Sequence, residues 1–247
     1  MANVVAGYIG LSRMSGLQRQ LDVVTNNIAN MNTTAFKAER TIFQEHLERL
    51  GPVGQREDQS YVIDSATYRD LSQGRLEATG NPLDIAIEGE GWFAYNTEEG
   101  PVYGRDGRLL IDDMGRLATT DGKPILDING AEIVLPLEEA HLIDIAADGT
   151  VSAEGLILGQ IGIFQFDNPR RLERLGSGMM RAPADEPALP ALDAALVQGM
   201  VEGSNVNPIV EMTRLMQLHR AYEQTAKLNE TAGDLQSRAI DRLGRGS

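Results

Sequence analysis

Apolar heptads at both ends of this 247-residue chain limit what it can fold into. Near the start, Met14, Leu17, Leu21, Val24, Ile28 and Met31 recur at alternating steps of three and four. Near the finish, Ile209, Met212, Leu215, Met216, Leu218, Tyr222, Leu228, Ala232, Leu235, Ala239 and Leu243 form a second, broader band. Periods between 3.5 and 3.6 put such residues on one helix face. The sequence between the two bands has a much shorter period. Two helical seams therefore have to be covered by each other or by other subunits.

The first seam predicts a helix from Val4 to Met31. Gly7, Gly10 and Gly16 lie inside it. A mid-helix glycine costs about 1 kcal/mol relative to alanine. These glycines point either to close helix approach or to a helix that forms only on assembly. Asn30, Asn32, Thr33 and Thr34 compete for backbone hydrogen bonds and should stop it. Asn26, Asn27 and Asn30 stand where the seam ends, so register fixing and termination are both expected of them. The second seam predicts a helix from Pro208 to Leu243, with Asn207 as N-cap, Pro208 at its first position and Glu211 in its first turn. At 1.5 Å per residue it would be about 54 Å long, too long for one small β domain to cover.

Residues 36–75 read as a connecting arm. Phe36, Ile42, Phe43 and Leu47 suit a short helix or an extended arm, Gly51-Pro52-Val53-Gly54 breaks it, and 61–68 is strand-like. From Leu76 the pattern is short strands and tight turns. Leu83-Asp84-Ile85-Ala86-Ile87 alternates, and Asp106-Gly107, Asp113-Met114-Gly115, Asp121-Gly122 and Asn129-Gly130 mark turns. This spacing predicts an antiparallel β domain over 76–198. The expected fold class is α+β. Residues 1–35 and 199–247 form a coiled-coil-like helical assembly domain around a central all-β antiparallel domain. Candidate interface positions are Met14, Leu17, Leu21, Val24, Asn26, Asn27, Ile28, Asn30, Met31, Ser204, Asn205, Asn207, Met212, Leu215, Tyr222, Leu228 and Leu235.

Charge follows the same division. Residues 51–204 carry 11 basic and 27 acidic side chains, whereas 1–50 and 205–247 are each +1, giving −14 in total. Neutral ends can pack while the acidic middle stays solvated. No basic patch is available for phosphates, so nucleic acid is not an expected partner. No apolar run reaches eighteen residues, so no membrane insertion is expected. The N-terminal residues lack the pattern of a cleaved secretory signal.

Catalytic constellations are not evident. The chain has no cysteine, and His46, His141 and His219 are far apart. Glu138-Glu139 reads as a solvated turn, and no Gly-x-Ser-x-Gly elbow occurs. Gly89-x-Gly91 and Gly176-x-Gly178 lack the rest of a phosphate-binding fingerprint. Neither a metal nor a cofactor is expected.

The segment from Leu21 through Asn26-Asn27-Ile28-Ala29-Asn30 to Lys37 resembles the N-terminal motif of bacterial flagellar rod, hook and hook-associated proteins. Glu202-Gly203-Ser204-Asn205-Val206-Asn207 with Arg220-Ala221-Tyr222-Glu223 resembles their C-terminal motif. Gly80-Asn81-Pro82-Leu83-Asp84 through Trp92-Phe93, Tyr103-Gly104-Arg105-Asp106-Gly107 and Phe166-Asp167-Asn168-Pro169 are similar to their β domain. The length and the opening Tyr8 to Arg13 most resemble proximal rod subunits, with distal rod subunits the near alternative. One departure is Ala35, where the family usually has glycine. If that position requires positive φ, alanine is strained there.

The resemblance implies a structural rod subunit that transmits torque and encloses the export channel. It implies passage through the flagellar type III export apparatus and assembly in the periplasmic part of the basal body. Implied partners are further copies of itself and other axial subunits. The rival class is a ligand-binding or peptidoglycan-acting β domain. It would need a carboxylate pair set in a cleft.

Overall fold

The computed structural model describes residues 2–50, 57–136, 143–176 and 178–244. The chain divides into two compact units. One comprises Met1–Asn30, Glu39–Asp70 and Val206–Ser247, the other Met31–Ala38 and Leu71–Asn205. The expected break at Gly51–Gly54, the Glu138-Glu139 turn and His141 lie outside the described residues.

The first unit holds helix α1 (Ala2–Ala29), strands β1 (Glu39–Leu50) and β2 (Glu57–Arg69), and helix α2 (Pro208–Gly244). Asn207 caps α2 as expected: its Oδ1 accepts the N–H groups of Ile209 at 3.1 Å and Val210 at 3.3 Å. Helix α1 ends at Ala29, where Asn30 folds back and donates to the Asn26 carbonyl at 2.9 Å. The two helices run antiparallel, because Gly10 meets Asn229 at one end and Asn27 meets Glu211 at the other. Residues 39–50 and 57–69, expected within an arm with a helical option, form an antiparallel ribbon of two long strands. The β-branched and aromatic residues of 61–68 make strand the better choice. A register shift between Gln44 and Glu45 marks a bulge.

The second unit is β-rich and its pairings are antiparallel. Its strands are β3 (Leu76–Ala78), β4 (Ile85–Glu88), β5 (Trp92–Tyr95), β6 (Val102–Gly104), β7 (Leu109–Ile111), β8 (Leu117–Thr119), β9 (Ile143–Ile145), β10 (Thr150–Ala153), β11 (Leu156–Gln160), β12 (Ile163–Gln165), β13 (Glu173–Gly176), β14 (Met179–Arg181), β15 (Leu189–Pro190), β16 (Ala195–Gln198) and β17 (Met200–Glu202). The largest sheet has the order β13-β14-β6-β5-β12-β15. Its side chains alternate between two apolar clusters. Phe93, Tyr95, Val102, Ile163 and Met179 enter the main core with Ile85, Leu117 and Ile161. Trp92, Ala94, Tyr103, Phe164 and Met180 enter a second cluster with Phe166 and Leu172. A sheet covered on both faces needs apolar residues at consecutive positions, as in Trp92-Phe93-Ala94-Tyr95.

Four turns between residues 112 and 150 share one construction. In 112–116, 119–123, 127–131 and 146–150, the fourth residue is glycine at φ +77 to +87. Each glycine N–H donates to the carbonyl of the first residue, and the first and fifth residues are also bonded. This is a type I turn followed by a left-handed residue. Asp112 and Asp127 reinforce it by accepting two backbone N–H groups each at 2.7–2.9 Å. Gly107 differs from the expected positive-φ turn residue. It has no positive φ, but a Cβ there would lie 1.8 Å from the Ile85 carbonyl oxygen. It is needed for close backbone approach.

Candidate assembly interface

Within the β-rich unit the two terminal signatures meet. Glu202 is fully buried. Its carbonyl accepts the Ala35 N–H at 2.7 Å. Its Oε1 accepts Lys37 Nζ and the Gly74 N–H, at 2.7 and 2.8 Å. Its Oε2 lies 2.8 Å from Arg105 Nε, an ion pair whose N–H is not aimed at the oxygen. Lys37 also donates to the Ser72 carbonyl at 2.7 Å, and Arg105 to the Gly89 carbonyl at 2.6 Å. Burial lowers the Arg105 pKa from its ordinary value, with Glu202 and Glu90 opposing that shift.

Asn205 completes the stitching. Its Oδ1 accepts the Ala38 N–H at 2.7 Å, its Nδ2 donates to the Ser72 carbonyl at 3.0 Å, and its N–H donates to Phe36. Segments 35–38, 72–75 and 202–205 are thereby held as one body. Gly74 permits it, since a Cβ there would lie 2.0 Å from the Gly203 oxygen. Ala35 stands in the left-handed region at φ +58. This is the conformation that would explain glycine in the family.

Within the helical unit Asn27 is the hub. Its side chain pairs with Glu39 as a neighbouring strand would: Oδ1 accepts the Glu39 N–H at 2.8 Å, and Nδ2 donates to the Glu39 carbonyl at 2.9 Å. Nδ2 also reaches Glu211 Oε2 at 3.5 Å. Glu211, buried in the first turn of α2, is ion-paired with Arg40 at 2.5 Å. Asn27 is therefore engaged, while Asn26 is half-buried with an enclosed Oδ1 that has no hydrogen-bond partner.

The predicted interface positions separate by exposure. Val24 is buried, while Met14, Leu17, Leu21, Ile28, Leu215 and Tyr222 are half-buried. Met31, Ser204 and Asn205, half-buried as well, belong to the β-rich unit. Met212, Leu228 and Leu235 are exposed at 46%, 68% and 61%, together with Ile209 and Met216. Helix α2 has one inner stripe (Glu211, Leu218, Thr225) and two exposed apolar strips: Ile209, Met212 and Met216 on the side away from it, and Leu228 with Leu235 on a different side further along.

Sequence reasoning passed over Lys37, Arg40, Arg105, Glu202, Glu211 and Asn229 as site residues. The available signal was a charge among apolar neighbours, as in Phe36-Lys37-Ala38 and Met200-Val201-Glu202.

Among the described residues no group of His, Asp and Glu is placed to hold a metal ion. His219 lies 3.9 Å from Glu223 on an exposed helix surface. An open hollow of about 410 Å³ is bordered by Glu98, Glu99, Lys123 and Arg181. Arg181 is ion-paired with Glu99. No helix among the described residues is long and apolar enough to cross a membrane.

Three family profiles match in order. Residues 8–37 match the flagella basal body rod protein profile, 86–153 the flagellar hook protein FlgE/F/G D1 domain, and 197–242 the flagellar basal body rod FlgEFG protein C-terminal profile. The chain is 37% identical over 238 residues to the flagellar basal-body rod protein FlgF of Mesorhizobium japonicum, covering 96% of this chain and 97% of that one. It is 36% identical to the FlgF of Caulobacter vibrioides over 241 residues, with the same coverage. Similarity to the flagellar basal-body rod protein FlgG of Bacillus subtilis is lower, 32% over 255 residues, covering 92% and 95%.

Proposed function

Because this chain belongs to the flagellar basal-body rod protein family, we propose that its terminal helices polymerise with those of neighbouring axial subunits, to enclose the export channel and transmit torque. The chain is a structural subunit of the bacterial flagellar basal-body rod. It assembles with other rod and hook subunits. The match to FlgF relatives over 96% of the chain carries this reading, together with three rod and hook profiles on one chain. FlgF relatives match more closely than FlgG relatives, which supports a proximal position in the rod.

The finer steps rest on the residues. The exposed apolar residues of α2, Met212 and Met216 near its start and Leu228 and Leu235 on another side further along, support lateral contact with neighbouring subunits. A head-to-tail contact of this kind does not close, and so builds a filament. Met14, Leu17, Leu21, Val24, Ile28, Leu215 and Tyr222 support the helix pair itself. Asn205 serves the stitching of the β-rich unit, and the chain reaches the periplasmic rod through the type III export apparatus. The family supports a non-enzymatic role.

The test is to purify basal bodies from cells that produce an epitope-tagged chain in place of the native one. Label along the rod, below the distal segment, is the expected result. Basal bodies with a complete rod but no tag would overturn the reading.

A further inference from the structure

Heptad seams are degenerate. The inner stripe of α2 repeats at Glu211, Leu218 and Thr225, seven residues apart, and α1 repeats in step. Sliding one helix by a heptad, about 10 Å at 1.5 Å per residue, would again set apolar residues against apolar residues. Something other than the stripe has to choose among these pairings.

Two polar contacts at opposite ends of the seam are not degenerate. At one end the buried Glu211 carboxylate faces Asn27 and Arg40. At the other, the Asn229 side chain occupies the space a Cβ on Gly10 would fill, 1.9 Å from its Oδ1, and Nδ2 reaches Met14 Sδ at 3.2 Å. Slipping in one direction sets Leu218 against Asn27 and Gln236 against Gly10. Slipping in the other sets the larger Tyr222 ring against Gly10, in the space the Asn229 side chain now fills. Either slip takes Glu211 away from Arg40 and leaves Asn27 without its carboxylate.

We infer that Glu211 with Asn27 and Arg40, and Asn229 with Gly10, are two pins that select a single α1–α2 register. The apolar stripe supplies adhesion and the pins supply choice, as single polar residues do at coiled-coil core positions. The register decides which outer residues of α2 line up with the rest of the helical unit. Its importance for assembly rests on the rod-subunit reading; the register itself does not.

The chain has no cysteine, so a pair of introduced ones is unique. Spin labels at Ser15→Cys and Gln224→Cys, both exposed positions, report the seam in the purified full-length chain. The otherwise unchanged chain should give one distance. Glu211→Gln, which keeps the hydrogen-bonding shape, should give the same distance. Glu211→Leu combined with Asn229→Ala should add a second population displaced along the seam by about one heptad, or 10 Å. A single unshifted distance in that double variant would overturn the inference. So would a broad distribution with loss of helical signal, because the pins would then hold the pair together rather than choose its register. The labels are read on free protein, so a failure here is separate from a failure to enter the rod.

Discussion

Lys37 Nζ lies 2.7 Å from Glu202 Oε1, with 7% of one side chain and none of the other exposed. The two residues are 165 positions apart and belong to opposite terminal signatures. One buried ion pair thus ties the beginning of the β-rich unit to its end. Two carboxylate oxygens meet two cations and a backbone N–H, which offsets the cost of taking these charges out of water.

Removing one member of that group should cost far more than a surface ion pair. Glu202→Ala leaves Lys37 and Arg105 buried without their carboxylate, and about 3–5 kcal/mol of stability should be lost. Lys37→Met, which leaves Glu202 with Gly74 and Arg105, should cost less. Urea unfolding followed by tryptophan fluorescence measures both, since Trp92 is the chain's one tryptophan and lies in the β-rich unit. Loss of under 1 kcal/mol for Glu202→Ala would contradict the account.

Ala35 adopts φ +58, where a Cβ is unfavourable by roughly 1–2 kcal/mol. Glycine relieves that strain but has more backbone entropy to lose, about 0.5–1 kcal/mol. Ala35→Gly should therefore stabilise the chain by about 0.5–1 kcal/mol, seen as a rise in the unfolding midpoint. A lowered midpoint would show that the left-handed turn is not under strain.

Much of this molecule was legible from the sequence, and the reasons are local. Asn207-Pro208 announced the start of α2, and the Gly115, Gly122 and Gly130 turns were visible because positive φ is a property of single residues. The Ala35 conflict could be posed from one position for the same reason. Lys37, Glu202 and Glu211 were not legible as buried, nor Arg40 as the partner of Glu211, because what neutralises each of them is far away in sequence. Gly107 was read as a turn residue because nothing nearby reveals that the Ile85 carbonyl will press on it. The β1–β2 ribbon was half-seen: its second strand has β-branched and aromatic residues, whereas its first mixes apolar and charged residues without clean alternation.

The glycines of the β-rich unit should separate by mechanism. At Gly122 and Gly130 a Cβ meets nothing within 4 Å, so alanine should cost only the backbone strain, about 1–2 kcal/mol. At Gly107, with the Ile85 oxygen 1.8 Å from the built Cβ, alanine requires the chain to move and should cost about 3 kcal/mol. Equal losses across the three in chemical unfolding would contradict the close approach at Gly107.

Acid should weaken the turns before it reaches the apolar core. Asp112 and Asp148 have pKa values below the ordinary value, chiefly through backbone hydrogen bonds from Arg116 and Thr150. Asp185 is lowered chiefly by its hydrogen bond from Arg171. A carboxylate with a depressed folded pKa contributes stability that is present above its unfolded value, about 3.9, and is lost as pH falls through the folded value. Stability should therefore decline below about pH 4, and Asp112→Asn should make that decline shallower. An unchanged slope in the variant, from unfolding titrations across pH 2–6, would refute the contribution of Asp112.

In the rod, neighbouring subunits are expected to cover the exposed apolar residues on both sides of α2. Met212, Met216 and Leu228 are 46%, 56% and 68% exposed, so glutamate at all three disturbs little within the single chain. The decisive measurement is the amount of the Met212→Glu, Met216→Glu, Leu228→Glu chain in purified basal bodies. This is compared with the unchanged chain at equal cellular level, after circular dichroism of the purified protein has established that helix content is retained. A folded chain missing from basal bodies, with the flagellum arrested at the rod, is the result expected. Incorporation at the normal level would contradict the account.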